Sequence, residues 1–118
     1  MNKLYGYKKC STVNKLIKYL RKQRITYEYF DLIDNDIDRV TLEELITKSG
    51  KSIDDFFNIR GKYFKEHNKV DDLKTMSYEE KLSLLLSNGF MIKRPILEMD
   101  DHVFIKFSER DLEIFLLK

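Results

Sequence analysis

The stretch LYGYKKCSTVNKLIKYLRKQRITYEYFD, residues 4–31, predicts a strand, a helix and a second strand in succession. Its first four residues are rich in aromatic side chains, which suits a buried strand, and residues 27–31 have the same character. Between them, apolar side chains recur at the i, i+3, i+4 and i+7 positions of one helix face: Val13, Leu16, Ile17 and Leu20. A strand, a helix and a strand of this length form a βαβ unit, which implies two parallel strands with a right-handed crossover.

Residues from about 35 to 88 predict a run of short helices. Thr41, Ser52 and Ser77 each stand three residues before a carboxylate, which is the spacing of a capping box at the start of a helix. Gly50 stands where the first of these helices is expected to end, because glycine readily adopts the left-handed conformation of a helix C-terminus. We therefore expect a helical insertion between the second strand and the C-terminal part of the chain.

The C-terminal part of the chain returns to strands. Residues 95–98 and 103–106 flank a turn and predict a hairpin, after which Ser108 opens a last helix with one apolar side. The whole order is β-α-β, then helices, then β-β-α. This order predicts an α/β, thioredoxin-like fold with a mixed four-stranded sheet, built as a single domain over residues 1–118 with the helical insertion at about 35–88.

The composition is that of a soluble globular domain, with 42% hydrophobic and 36% charged residues in a chain of 118. The formal net charge of +2 is too near neutral to indicate nucleic-acid binding by itself. No apolar run reaches the roughly 18 residues of a membrane span. A single cysteine excludes an internal disulfide, so we expect a reducing cytoplasm. Cys10, His67 and His102 stand singly, which predicts no metal site.

Cys10 follows the first predicted strand and immediately precedes the first helix. A thiol at that junction meets unpaired backbone N–H groups and the positive end of the helix dipole, which together favour the thiolate. With Ser11 and Thr12 next to it, such a thiolate could attack an oxyanion or help to bind one. A lone cysteine is also often a buried, inert hydrophobic residue, and the residues alone leave both interpretations open.

Pro95, the only proline of the chain, opens a predicted strand directly after Arg94. A proline at the first residue of a strand lacks a donor where none is needed. In thioredoxin-like folds this proline is cis and lies beside the active cysteine, so we expect the same of Pro95. Arg94 would then reach the same pocket, where its planar set of donors suits an oxyanion. The alternative is a solvated surface arginine followed by a simple strand start.

Arg60 and Lys62 lie in the stretch NIRGKYFK, residues 58–65, where basic and aromatic residues alternate. Such interleaving occurs in proteins that bind nucleic acids. It is more often the start of an amphipathic helix, which is the interpretation that we favour. We therefore expect no direct contact between this protein and nucleic acid.

Eight short segments, spread over nearly the whole chain, resemble those of a known family. They are YKKCST (7–12), ITYE (25–28), SG (49–50), DFFN (55–58), GKY (61–63), TMS (75–77), MIKRPI (91–96) and FSE (107–109). The family that they resemble is the arsenate reductase (ArsC)/Spx family, and more closely its small bacterial branch of arsenate-reductase-like proteins. The Cys-Ser-Thr and Lys-Arg-Pro segments are the most specific of the eight.

This resemblance implies a thiol oxidoreductase. In the family's arsenate reductases a cysteine at the first helix attacks arsenate, and glutathione and glutaredoxin release the intermediate; Cys10 matches that nucleophile. The arginine before the cis-proline matches Arg94, and a further arginine matches either Asn58 or Arg60. A basic residue before the last helix matches Lys106. The resemblance therefore implies an oxyanion or thiol as the small-molecule substrate, glutathione or another thiol as co-substrate, glutaredoxin as a partner, and no bound cofactor.

Three positions depart from the family pattern. Gly6 replaces a histidine of the reductases and Asn14 replaces an arginine, while Val13 replaces the second cysteine of the Cys-x-x-Cys pair in Spx-type regulators. An internal disulfide switch is therefore impossible, and any cycle through Cys10 must take its second thiol from outside. Two alternatives are an Spx-like transcriptional regulator that binds the RNA polymerase alpha subunit, for which Arg60 is the supporting residue, and a non-catalytic family member. We expect a monomer.

Overall fold

The computed structural model describes residues 1–68 and 70–117, which contain four strands, five α-helices and three 3₁₀ turns. The strands are β1 (Lys3–Gly6), β2 (Glu28–Asp31), β3 (Ile96–Met99) and β4 (His102–Phe104). The helices are α1 (Ser11–Lys22), α2 (Arg39–Ser49), α3 (Lys62–His67), α4 (Tyr78–Ser87) and α5 (Glu109–Leu116). The 3₁₀ turns are Ile53–Phe56, Val70–Lys74 and Gly89–Met91. None of the helices in these described ranges is long and apolar enough to cross a membrane.

The four strands form one mixed sheet in the order β2-β1-β3-β4. β1 runs parallel to β2 and antiparallel to β3, and β3 and β4 form an antiparallel hairpin. The parallel pair is the one joined through α1, as the βαβ prediction requires. The predicted α/β, thioredoxin-like fold with a mixed four-stranded sheet is thereby confirmed.

The two faces of the sheet pack against different sets of helices, because neighbouring residues of a strand point to opposite faces. On one face, Leu4 of β1 packs in a cluster with residues of α1 and α5, among them Leu20 and Leu112. On the other face, Tyr5 and Ile96 pack in a larger cluster with the helices that lie between β2 and β3. These helices cover the second face of the sheet.

The apolar face of α1 fixes this helix against the sheet. Val13, Leu16 and Leu20 are buried as predicted, while Lys15 and Lys18 lie on the other, more open side. Burying each such aliphatic side chain stabilises the fold by about 1.5–3 kcal/mol. The position of the first turn of α1, where Cys10 lies, therefore depends on a well-packed helix rather than on a loop.

The predicted helix ends are mostly confirmed. Ser77 and Ser108 each form a complete capping box, and Gly50 ends α2 in the left-handed conformation with φ of +67°. The prediction that Thr41 opens its helix is wrong, because Asp38 accepts a hydrogen bond from the Thr41 amide at 2.7 Å. An aspartate is a strong N-cap, so the helix begins earlier, directly after Asp38.

Two other boundaries differ from the prediction. Ser52 does cap a helical segment, but that segment is the single 3₁₀ turn Ile53–Phe56. The last strand ends at Phe104 rather than at 106, and Lys106 has φ of +51°. A residue in the left-handed region turns the chain away from a strand, so the segment before α5 is a bend.

Candidate functional site

The turn from Tyr7 to Cys10 joins β1 to α1. The Cys10 amide donates to the Tyr7 carbonyl at 2.9 Å, and the Asn14 side-chain amide donates to the Lys8 carbonyl at 3.0 Å. Cys10 is half-buried and is the N-cap residue of α1, yet its side chain makes no capping hydrogen bond within the described residues. Asn14, one of the three departures, therefore has a structural role, because it ties the turn to the first turn of the helix.

Asp31, at the end of β2, ties the same turn to the sheet. Its buried carboxylate accepts hydrogen bonds from the amides of Lys8 at 3.3 Å and of Ile33 and Asp34 at 2.9 Å each. The Tyr29 hydroxyl donates a fourth, at 3.2 Å. Burial by itself would raise the pKa of Asp31, but these hydrogen bonds outweigh it and lower the pKa below its ordinary value. Burial and the Asp31 carboxylate raise the pKa of Tyr29 to about 12.

Gly6 and Val13, the two other departures, are in contact with each other. A Cβ atom on Gly6 would lie 2.8 Å from Val13 Cγ1 and 3.1 Å from Cγ2, with a carbon of the Tyr29 ring at 3.4 Å. Val13 is fully buried, and a β-branched side chain in a helix has one strongly preferred rotamer. Val13 therefore fills the space next to Gly6 that a histidine there would need, and the two departures form one packing arrangement.

An isolated antiparallel bridge between Phe57 and Ile92 joins two segments that are far apart in the sequence. Backbone hydrogen bonds of 2.7 and 2.8 Å on either side extend this pairing. The bridge places the segment that contains Arg60 beside the segment that contains Arg94 and Pro95. The peptide bond between Arg94 and Pro95 is cis.

A cavity of about 400 Å³ lies where these two segments meet the first turn of α1. Four cationic residues line it: Arg60, Lys93, Arg94 and Lys106. The remaining lining residues are Thr12, Phe57, Asn58, Ile59, Pro95 and Phe107. No carboxylate occurs among these lining residues, all of which lie in the described part of the chain. The cavity is therefore a strongly positive environment, which suits a small anion.

The structure brings four of the predicted site residues to this cavity: Thr12, Arg60, Arg94 and Pro95. The other two, Cys10 and Ser11, directly precede Thr12 and lie outside the lining. Asn58 and Arg60, the two alternatives for the second arginine of the family, both line the cavity, and only Arg60 supplies a charge. Lys106 also lines it, with its Nζ atom 3.2 Å from a carboxylate oxygen of Asp55.

Arg94 is held between two aromatic rings. Its Cζ atom lies 5.3 Å from the centroid of the Tyr7 ring and 5.8 Å from that of the Phe90 ring. Its Nη1 atom donates to the Ile92 carbonyl at 3.3 Å, and its buried Nε atom has no hydrogen-bond partner among the described residues. Cation–π contacts contribute about 0.5–2 kcal/mol each, depending on their exposure to water. These contacts orient the guanidinium at the cavity, which is not the environment of a solvated surface arginine.

Sequence reasoning missed three side chains that shape this site: Tyr7, Asp31 and Phe90. Asp31 carried a signal, since a carboxylate that ends a predicted strand next to a short turn is a common acceptor for turn amides. The contacts of Tyr7 and Phe90 with Arg94 carried no local signal, because they depend on the tertiary fold. No group of three His, Cys, Asp or Glu residues that could hold a metal ion occurs in residues 1–68 and 70–117.

A model of the ArsC family matches residues 5–115 of the chain, a range that includes Cys10, Arg60 and Arg94. YusI of Bacillus subtilis (strain 168), an uncharacterized protein, is 33% identical over 109 residues, which are 92% of this chain and 92% of YusI. The global transcriptional regulator Spx of Streptococcus pneumoniae is 23% identical over 107 residues, which are 91% of this chain and 79% of Spx.

Two solved structures have the same fold as this chain. An ArsC-family-related protein of Bacteroides fragilis is 31% identical with a TM-score of 0.89, over 96% of this chain and 95% of that protein. A protein of Streptococcus mutans UA159, named as a possible arsenate reductase, is 28% identical with a TM-score of 0.82, over 96% of this chain and 98% of that protein. At this coverage the likeness includes the helices between β2 and β3 as well as the sheet.

Proposed function

The chain belongs to the ArsC family, and from this membership we propose that it is an arsenate-reductase-like thiol oxidoreductase with Cys10 as its nucleophile. One observation carries the proposal. The cavity at the first turn of α1 is lined by four cationic side chains and Thr12, with no carboxylate among its described lining residues. A small tetrahedral oxyanion matches this lining in charge.

The proposed reaction has three steps. The Cys10 thiolate forms a sulfur–arsenic bond with arsenate, and one arsenate oxygen leaves as water after protonation. An external thiol such as glutathione then attacks the Cys10 sulfur; the electron pair of the sulfur–arsenic bond stays on arsenic, which leaves as trivalent arsenite. A second thiol, from glutathione or glutaredoxin, reduces the mixed disulfide and restores Cys10.

Five of the predicted site residues have a direct role in this scheme. Arg94 and Arg60 bind the oxyanion, and Thr12 adds a hydroxyl donor. The N-terminal amides of α1, starting at Ser11, stabilise negative charge at the Cys10 sulfur. The external thiol is required because Cys10 is the only cysteine of the chain.

Arsenate-dependent oxidation of NADPH, coupled through glutathione reductase, glutathione and glutaredoxin, tests this proposal. We expect turnover by the protein and its loss in Cys10→Ser. Arg94→Ala should raise the KM for arsenate by about tenfold or more, because a charge-assisted contact is lost. Arg110→Ala removes the same charge on α5 and should leave KM unchanged. Turnover that survives in Cys10→Ser, or no turnover by the protein itself, would overturn the proposal.

A regulator that binds the RNA polymerase alpha subunit is the second proposal. The similarity to Spx and the exposure of Arg60 support it. A pull-down with the purified alpha subunit should retain the protein and lose most of it in Arg60→Glu, while Arg110→Glu serves as the charge-matched control. If the alpha subunit retains neither the wild-type protein nor Arg110→Glu, and the protein does not reduce arsenate, we would conclude that it is a non-catalytic family member.

The proposed setting is a reducing cytoplasm. A chain with a single cysteine cannot form an internal disulfide, so an oxidising compartment would not stabilise it, and the proposed cycle needs a pool of small thiols. We also propose that the protein acts as a monomer. Size-exclusion chromatography with light scattering measures the oligomeric state directly, and a mass near twice the 14.2 kDa of one chain would contradict it.

A further inference from the structure

Two adjoining cavities lie on the second face of the sheet, between the strands and α2. One has a volume of about 280 Å³ and the other of about 440 Å³, and both are lined by Lys3, Tyr5 and Thr41. We call the two together the α2 groove. Neither shares a lining residue with the cavity at Thr12. The groove is therefore a different cavity from the one at the proposed thiol site, although Asp31, which holds the turn before Cys10, also lines its smaller part.

Tyr5 lines both parts of the α2 groove. This residue is only 5% exposed, and its hydroxyl has no hydrogen-bond partner among residues 1–68 and 70–117. Because Tyr5 lines both cavities, its hydroxyl remains available to form a hydrogen bond with a bound molecule.

An aromatic floor extends from Tyr5 to Phe30. Their rings stack with centroids 5.2 Å apart and planes inclined by 19°. Phe30 lines the smaller cavity and remains 38% exposed, so part of its ring surface is open to a ligand. The face of an aromatic ring attracts cations through its quadrupole.

The side chains that line the groove are mainly negative. Six carboxylates contribute to it: Asp31, Asp36, Asp38, Glu44, Glu98 and Asp100. The lysines among the lining residues are Lys3 and Lys48, and Lys48 is paired with Glu98 at 2.9 Å. Lys3 lies across from Glu28 and Glu98 in the register of the neighbouring strands. Two lysines against six carboxylates leave the groove negative, which favours a positively charged ligand.

Two further observations agree with this charge. Burial first, and then the carboxylates of Glu98 and Asp38, raise the pKa of Tyr5 to about 12, so its hydroxyl stays protonated in a negative environment. Asp36 is exposed and makes no hydrogen bond or ion pair within the described residues. Its carboxylate is available to a ligand at the smaller cavity.

We propose that the α2 groove binds a small organic cation, an alkylammonium or guanidinium group on a short apolar stem. The cation lies over the open face of Phe30 and pairs with Asp36, and its N–H donates to the Tyr5 hydroxyl. The stem packs against the apolar part of the lining, which includes Leu32 and Ile37. The two cavities are each of the size that suits a small molecule rather than a folded partner.

Titration of ¹⁵N-labelled protein with agmatine and with putrescine at low ionic strength tests the proposal. We expect saturable chemical-shift changes at Tyr5, Phe30 and Asp36, and none at Arg94. The uncharged 1-butanol should cause no such changes. Phe30→Leu keeps the apolar bulk and should weaken binding about three- to thirtyfold, since the cation loses its ring.

Asp36→Asn should weaken binding about two- to fivefold, as expected for the loss of an exposed ion pair. Because Asp36 makes no hydrogen bond or ion pair within the described residues, this variant should fold normally. Glu113→Gln removes one negative charge on α5 and should bind like the wild type. Three results would overturn the proposal: no saturable shift with either amine, an equal response to 1-butanol, or binding of an arginine-containing tripeptide without binding of agmatine.

Discussion

Replacing Gly6 by alanine should destabilise the protein, and the reason lies in Val13. The new Cβ atom would meet Val13 Cγ1 at 2.8 Å and Cγ2 at 3.1 Å, distances at which a neighbour must move. Over-packing of this kind typically costs about 1–3 kcal/mol. Alanine also reduces the entropy of the unfolded chain relative to glycine, which offsets about 0.4–1 kcal/mol. We expect Gly6→Ala to lower the free energy of unfolding by about 1–2 kcal/mol on the sum of these effects.

The same substitution should behave differently once Val13 is shortened. Val13→Ala removes both methyl groups that the new Cβ would meet, at its own cost of about 2 kcal/mol for a buried valine. In that background Gly6→Ala should be neutral or slightly stabilising, which corresponds to a coupling of about 1–2 kcal/mol between the two sites. The arrangement that replaces the family's histidine and second cysteine would then be one energetic unit.

Urea unfolding followed by circular dichroism measures this coupling in a double-mutant cycle. Val103→Ala, the same truncation in buried β4, is the matched control, and Gly6→Ala should cost as much in that background as in the wild type. Equal costs of Gly6→Ala in the Val13→Ala and Val103→Ala backgrounds would refute the reasoning. So would a stabilising effect of Gly6→Ala in the wild-type chain.

Three further substitutions each probe one of the described contacts. Asp38→Ala removes the cap that accepts the Thr41 amide and should lower Tm by about 3–6 °C in a thermal melt, whereas Asp38→Ser should recover most of it. Asp31→Asn should be less stable at neutral pH, and the difference should shrink below about pH 4 in urea unfolding curves. The pKa of Asp31 is lower in the folded chain than in the unfolded chain. The ionised carboxylate therefore stabilises the fold at pH values above its unfolded-state pKa, and this stabilisation is lost as the pH falls through its folded-state pKa. Phe90→Leu removes one of the two rings that contact Arg94, and calorimetry should show arsenate binding weakened about two- to fivefold. Phe90→Trp keeps an aromatic ring at this position and should bind arsenate like the wild type. If Phe90→Leu binds arsenate like the wild type, the ring does not position Arg94.

Much of the fold could be predicted from the sequence because its signals are local. The spacing of Val13, Leu16 and Leu20 needs only one helix to be recognised, and the capping box at Ser77 needs only four residues. The error at the start of α2 has a local cause as well. Asp38 stands three residues before Thr41, so the sequence contains two caps in succession, and the aspartate is the one that the chain uses.

The sequence predicts candidate members of the site but not their arrangement. Cys10, Arg60 and Arg94 are predicted from their positions and from the family resemblance, and the structure places Arg60 and Arg94, but not Cys10, in the lining of one cavity. The bridge between Phe57 and Ile92, which brings the two arginine segments together, joins residues with no pattern that connects them along the chain. Such a contact depends on how both segments pack on the sheet, so the local sequence of one segment does not predict it.

The sequence by itself determined that Cys10 is the only thiol, that it stands before an amphipathic helix, and that no second cysteine can resolve it. Only the tertiary structure decided why the neighbouring departures are compatible with the fold. Val13 takes the space beside Gly6, and Asn14 fastens the turn to the helix. The physical reason is close packing. Whether a side chain fits at one of these positions depends on the space occupied by its neighbours, and that space is defined only in the folded chain.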